Sequence, residues 1–228
     1  MDNELEKHLE EQQNLLFQKF DKENRVDIDK ITKIAGVDLA YWTEQDVEYA
    51  VCCIVVIDYK TGEIIEKEHS FGKISVQYIP GLLAFREMPL ILETVNKLKN
   101  PPDVYIFDGN GYLHKRHMGI ATHAGIVLDK PSIGVAKSYY KIGDVDYEAP
   151  VDEEGAYKEI VINDEVYGVA LRTHKNIKPV FVSVGNMIDL KTSMEVVNSV
   201  VGKESHIPYP TRYADIETHT VRKMYQNK

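Results

Sequence analysis

The run Val51-Cys52-Cys53-Ile54-Val55-Val56-Ile57 contains no polar side chain. Successive side chains of a strand point to opposite faces, so a strand without polar alternation is covered on both sides. The chain therefore builds a sheet with a layer packed on each face, and 228 residues are enough for an α/β core of that kind. The two cysteines of the run, Cys52 and Cys53, are adjacent, which makes a disulfide between them geometrically poor. They read as small buried hydrophobes, and no further cysteine is present to complete a zinc or redox site.

Two more strands frame this one. Lys33 to Ala40 precedes it, Glu48 to Tyr59 contains it, and Glu63 to Phe71 follows the turn Asp58-Tyr59-Lys60-Thr61-Gly62. So short a turn joins antiparallel strands. An amphipathic helix is predicted from Glu4 to Phe20. Phe85, Met88, Leu92, Val95 and Leu98 follow helical spacing. That helix either begins near Glu87, with Pro89 in its first turn, or begins earlier and kinks at Pro89. Further on, Val104 to Phe107, Ser132 to Ala136, Val166 to Thr173 and Pro179 to Val184 read as strands. Met118 to Leu128, Asp189 to Val201 and Thr211 to Gln226 read as helices, and Tyr139 to Asn163 as an acidic, irregular surface excursion. The expected architecture is a single α/β domain over residues 1–228 with a mixed sheet: an antiparallel three-strand meander plus parallel strands, flanked by helices on both faces.

The net charge of −9 argues against a protein that holds nucleic acid through bulk positive charge. It is compatible with an enzyme whose carboxylates are gathered for a metal. Basic residues cluster locally, at His114-Lys115-Arg116-His117, at Lys137 and Lys141, and at Arg172, His174, Lys175 and Lys178. No stretch approaches the roughly 20 apolar residues that span a bilayer. The Glu-rich segment Met1 to Gln12 lacks a basic-then-apolar leader pattern, so a cytoplasmic location with no membrane contact is expected.

Four acids occupy positions where chemistry is plausible. Asp38 interrupts the apolar strand Ala35-Gly36-Val37-Asp38-Leu39-Ala40, where a carboxylate is costly unless exposed, paired or bound to a cation. Asp108 closes the strand Val104-Tyr105-Ile106-Phe107. If these strands are parallel neighbours, the two acids emerge side by side at the carboxyl ends, where α/β sheets bind ligands. Glu87 lies near a helix start and Asp215 on the last helix. Each acid alone has an ordinary explanation: a strand end, an Asp-Gly turn, a favourable helix dipole, a solvated helix face. Together they form an oxygen-donor set suited to one or two magnesium ions acting on a phosphodiester. His114, in a Gly-rich loop, and Lys137, at the end of Ile133-Gly134-Val135-Ala136, are candidate phosphate or water contacts. Tyr78-Ile79-Pro80-Gly81 presents an aromatic and an aliphatic side chain on a stiff turn, which suits a wedge between stacked bases.

Taken in order, Ala35-Gly36-Val37-Asp38, Tyr78-Ile79-Pro80-Gly81 with Phe85-Arg86-Glu87, Phe107-Asp108-Gly109 through His114, Ile133-Gly134-Val135-Ala136-Lys137 and Pro210-Thr211-Arg212-Tyr213-Ala214-Asp215 resemble the endonuclease V (deoxyinosine 3′ endonuclease) family. The resemblance implies an RNase H-like fold. It implies metal ligation by Asp38, Glu87 and Asp108, with His114, Lys137 and Asp215 completing the catalytic set. The implied cofactor is Mg2+, with Mn2+ as a substitute. Tyr78, with Ile79 and Pro80, becomes the wedge, and Gly81, Leu83, Gly109, Gly111, Gly119, Ile120 and Gly134 become the pocket for an extruded hypoxanthine base. The implied partner is inosine-containing DNA, single- or double-stranded, cut at the second phosphodiester bond 3′ to the lesion by a monomer. Inosine in RNA stays open as a second substrate. Two positions depart from the family pattern: Asn110 and Asn186 stand where histidines are usual, and asparagine hydrogen-bonds without titrating. The expectation is altered rate or preference, since the acids remain. Two competing readings are a non-catalytic nucleic-acid-binding module and a small-molecule phosphohydrolase using the same acids.

Overall fold

In the computed structural model, which describes residues 2–226, the apolar run lies in a long strand second from one edge of the sheet. The elements in order are α1 (Asp2–Phe17), β1 (Lys33–Glu44), β2 (Val47–Asp58), β3 (Ile64–Lys73), α2 (Ala84–Val95), β4 (Val104–Asp108), α3 (Ile120–Leu128), β5 (Ser132–Ala136), β6 (Tyr157–Ile162), β7 (Glu165–Leu171), β8 (Val180–Asn186), α4 (Leu190–Ser199) and α5 (Tyr209–Gln226). One eight-stranded sheet runs β3-β2-β1-β4-β5-β8-β7-β6. Its centre, β1-β4-β5, is parallel; β2 and β3 continue it antiparallel on one side, and β8, β7 and β6 on the other. This is the expected RNase H-like mixed sheet.

The period of two along the strands assigns the faces. Ile34, Val55, Ile57, Ile106, Ile133 and Val135 pack with Val196, Val197 and Ala214, residues of α4 and α5. Ala35, Val37, Cys52, Ile54, Val56, Tyr105 and Phe107 pack on the other face with Met88, Ile91, Ala121 and Ala124 of α2 and α3. β2 is thus buried on both faces, as its unbroken apolar run requires.

Several boundaries differ from expectation. β1 continues past Ala40 to Glu44 and turns into β2 through Gln45 and Asp46, whose φ values of 49° and 61° make a tight two-residue hairpin. Of the two starts open for α2, the earlier one holds: the helix begins at Ala84, and Pro89 sits inside it. Burial of Ala84, Met88, Leu90 and Ile91 holds the helix despite the amide hydrogen that proline lacks. The excursion from Tyr139 contains the edge strand β6, whose side chains are mostly exposed, which is why its composition reads as a loop. No helix among the described residues is long and apolar enough to cross a membrane.

Candidate active site

Val37 of β1 pairs with Phe107 of β4 in parallel register, so Asp38 and Asp108 stand side by side one residue further on. Both fall on the sheet face occupied by α5, being in phase with Ile34 and Ile106. Lys137, in phase with Ile133 and Val135, emerges on that face from the end of β5. Its Nζ lies 2.5 Å from Asp108 Oδ2 and 4.0 Å from Asp215 Oδ1. α5 comes close because β1 has a glycine beneath it: a Cβ on Gly36 would lie 2.0 Å from the Pro210 carbonyl carbon. The same helix gives Thr218, whose hydroxyl donates to Asp38 Oδ2 at 3.3 Å.

Glu87 arrives from the opposite face, on α2. Its carboxylate is buried and accepts a hydrogen bond from Tyr41 Oη at 2.6 Å. It meets the two aspartates at a polar cavity of about 80 Å3 lined by Asp38, Glu87, Asp108 and Ile120. Burial, with the Asp108 and Asp215 charges, pushes the Asp38 carboxyl up to about 7. Burial likewise raises Glu87 to about 7, against the opposing pull of Tyr41 and Arg86. Burial tends to lower the Lys137 ammonium, but Asp108, Asp215 and Asp38 outweigh it and hold it above the ordinary lysine value.

These acids share a cavity without closing into a cage. Among the described residues no group of three His, Cys, Asp or Glu side chains is disposed to hold a metal ion as it stands. Lys137 occupies Asp108, and Tyr41 occupies Glu87. The donor chemistry nonetheless fits a hard cation: three carboxylates face one small space, and crowding disfavours the charge on Asp38.

Beside this cavity, and sharing Ile120 with it, is a recess of about 140 Å3 lined by Tyr78, Gly81, Leu83, Gly109, Asn110, His114, Met118, Gly119 and Tyr140. Gly81, at φ +83°, takes the left-handed backbone that its tight turn needs. Tyr78 is 63% exposed at the rim, with the Arg86 guanidinium 5.9 Å from its ring centroid.

The model of the family described as Endonuclease V matches residues 14–216. The chain belongs to the endonuclease V family. Endonuclease V of Bacillus thuringiensis subsp. konkukian is 60% identical over 201 residues, covering 88% of this chain and 86% of that protein. The crystal structure of the Bacillus subtilis family member superposes with a TM-score of 0.91 at 52% identity, covering 94% of this chain and 91% of that one. The Ciona intestinalis family member, solved in complex with a 24mer DNA containing an inosine followed by a ribo-adenosine, gives a TM-score of 0.86 at 26% identity, covering 97% and 99%. As a family member this chain is a nuclease.

The expected family residues divide between the two spaces. Asp38, Glu87 and Asp108 meet at the acid cavity, and Lys137 and Asp215 flank it. His114 does not join them. It is buried beneath the Gly81 turn, its Nδ1 accepts from the Arg116 and Met118 amides at 3.2 and 3.3 Å, and its ring stacks on Tyr140. Burial, reinforced by Arg116 and Lys115, pushes it down to about 3, so it stays neutral. Ile79, Pro80, Gly111 and Gly134 do not line the recess. Gly111 and Gly134 instead let backbone pack behind it: a Cβ would meet the Val184 carbonyl oxygen at 2.1 Å or the Gly111 nitrogen at 2.3 Å.

Of the two departures from the family pattern, Asn186 is a structural tie. It accepts from the Asp21 amide at 2.9 Å and donates to the Gly125 carbonyl at 3.2 Å. Asn110 lines the recess, and its side-chain oxygen is buried without a partner. Sequence reasoning missed Tyr140 and Met118, which line the recess, and Gln13, whose buried amide donates to the Gly81 and Met118 carbonyls at 3.2 and 3.1 Å. Gln13 carries a findable signal, since it is a polar residue on the apolar side of an amphipathic helix.

Proposed function

We propose that the protein is a divalent-metal-dependent endonuclease that recognises deoxyinosine in DNA and hydrolyses the second phosphodiester bond on the 3′ side of the lesion. The observation that carries this reading is adjacency. A recess of about 140 Å3, walled by glycines and aromatic rings, abuts a cavity lined by three carboxylates, with Gly109 in one and Asp108 in the other. A small-molecule phosphohydrolase has no use for the exposed Tyr78 at the rim. A binding module has no reason to bury Glu87 and crowd Asp38 and Asp108 about the same space. The inosine-containing DNA bound by the Ciona intestinalis relative supports the substrate.

Asp38, Glu87 and Asp108 are the ligands for Mg2+, with Mn2+ as a substitute. When bound, the ion supplies charge stabilisation at the phosphate and an activated water. Tyr78 enters the stack, and the extruded base lies against Gly81, Leu83, Gly109, Gly119 and Ile120. Lys137 offsets the acids' repulsion and offers a cation to the scissile phosphate. Asp215 adds negative potential at Lys137, and His114 keeps the recess wall in shape as a neutral group.

Strand nicking of a duplex with a single deoxyinosine, with and without magnesium and resolved to one nucleotide, tests this directly. The expected product is one metal-dependent nick at the second bond 3′ to the lesion. Equal cutting of an undamaged duplex, or cutting that persists in excess chelator, overturns it. A matched RNA strand carrying one inosine reads the second substrate in the same assay.

A further inference from the structure

Arg86 is 6% exposed, so its charge is held by what packs around it. One contact is ionic, from Nη2 to Glu48 Oε1 at 2.7 Å, and Nε has no hydrogen-bond partner. The neighbouring Glu87 carboxylate attracts it as well, and two aromatic faces lie against it. The guanidinium carbon lies 4.7 Å from the Tyr41 ring centroid and 5.9 Å from that of Tyr78. A desolvated cation between two tyrosine faces is held by both, and moving either ring costs it stabilisation. Tyr41 has a second attachment, since its hydroxyl donates to Glu87 Oε1 at 2.6 Å.

The contacts form one path. Tyr78, exposed at the rim, rests over Arg86; Arg86 rests on Tyr41; Tyr41 holds Glu87 at the acid cavity. Arg86 and Glu87 are consecutive in α2, so a single helix turn carries the second and the last member of the path. We infer that Tyr41 is a positioning residue that fixes the Glu87 carboxylate and, through Arg86, ties it to Tyr78, so that insertion of Tyr78 into a strand is felt at the acid. This inference rests on the endonuclease reading above.

Two variants separate its halves. Tyr41→Phe removes the hydroxyl and keeps the ring on Arg86. In steady-state nicking of the deoxyinosine duplex, its kcat falls about tenfold or more while KM changes less than about twofold, because a tether at the acid acts after binding. Tyr41→Leu removes the ring as well. It is read without divalent cation by the fluorescence of a 2-aminopurine placed beside the inosine, which brightens as bases unstack. There Tyr41→Phe matches the unaltered protein, and Tyr41→Leu loses most of the rise, as Tyr78→Ala does. Circular dichroism melts of both variants check the fold. If the unaltered protein nicks the duplex but Tyr41→Phe keeps its full kcat, the tether is wrong. A full fluorescence rise in folded Tyr41→Leu, or a Tyr41→Phe loss confined to KM, removes the coupling. Failure of the unaltered protein to nick at all counts against the endonuclease reading instead.

Discussion

Asp38 and Asp108 leave neighbouring parallel strands one residue past the Val37–Phe107 pair, on the same face, with the Lys137 ammonium 2.5 Å from Asp108. Two carboxylates so placed, with Asp215 nearby, repel each other at neutral pH unless a cation stands between them.

Replacing one of the pair therefore separates activity from stability. Asp38→Asn removes a buried charge that burial and two neighbouring acids disfavour. In chelator its melting temperature rises by roughly 2–5 °C, while nicking falls by about 1,000-fold or more. Thermal melts and nicking assays on one preparation check both, and a loss of stability equal to the loss of function speaks against the crowded-acid picture.

Lys137 is the cation already among the acids. Lys137→Met leaves Asp108 without its partner, so the metal-free protein loses stability and binds Mn2+ several-fold more tightly. Nicking falls by about 100-fold, since the phosphate loses a positive contact. Calorimetric titration with Mn2+ reads the affinity; weaker binding would show that Lys137 supports the cation rather than standing in its place.

Gly36→Ala tests how α5 is seated. The added Cβ meets Pro210 backbone at 2.0 Å, and backbone does not yield as a side chain does. The expected cost is more than about 3 kcal/mol in urea unfolding. Gly143→Ala is the control: its φ is +58° with nothing within 4 Å of the new methyl, so it costs only about 1 kcal/mol of backbone strain.

Buried neutral histidines set an acid limit. Burial holds His114 near 3 and His123 near 4, below the unfolded value of about 6.5. The unfolded chain then binds more protons, so their contribution is fully present above pH ~6.5 and is lost as pH falls toward the folded values. The raised carboxyls of Asp38 and Glu87 act in the opposite sense over the same range, so the histidine contribution is read by difference, as urea midpoints at pH 7 and pH 5 for the unaltered protein and a variant. His123, whose ring meets Phe85 edge-on, is the one to replace: going from pH 7 to pH 5, His123→Phe loses less stability, or gains more, than the unaltered protein; an identical change in both would mean that His123 takes up protons equally in the folded and unfolded chain.

The strands and acids were legible because each depends on a local rule. Apolar runs marked β1, β2 and β4, and an acid interrupting or closing such a run marked Asp38 and Asp108. What escaped depended on partners distant in sequence. Tyr41 reads as one more core aromatic until α2 brings Glu87 to its hydroxyl. His114 reads as a loop donor until Gln13, Arg116 and Gly81 close around it. Gly111 and Gly134 suit a base pocket by type, yet backbone fills the space before any base can. The exposed edge strand β6 lacks the apolar pattern that betrays buried strands.

The seat beneath α5 also bears on when this enzyme becomes dangerous. Thr218 reaches Asp38 across a separation of 180 residues, and the missing Cβ of Gly36 leaves the room in which that helix lies. Contacts so remote in sequence close late, after nearby pairings have formed. A chain still emerging from the ribosome thus carries its first acids long before the helix that covers them, and acquires a working blade only once the whole fold has closed.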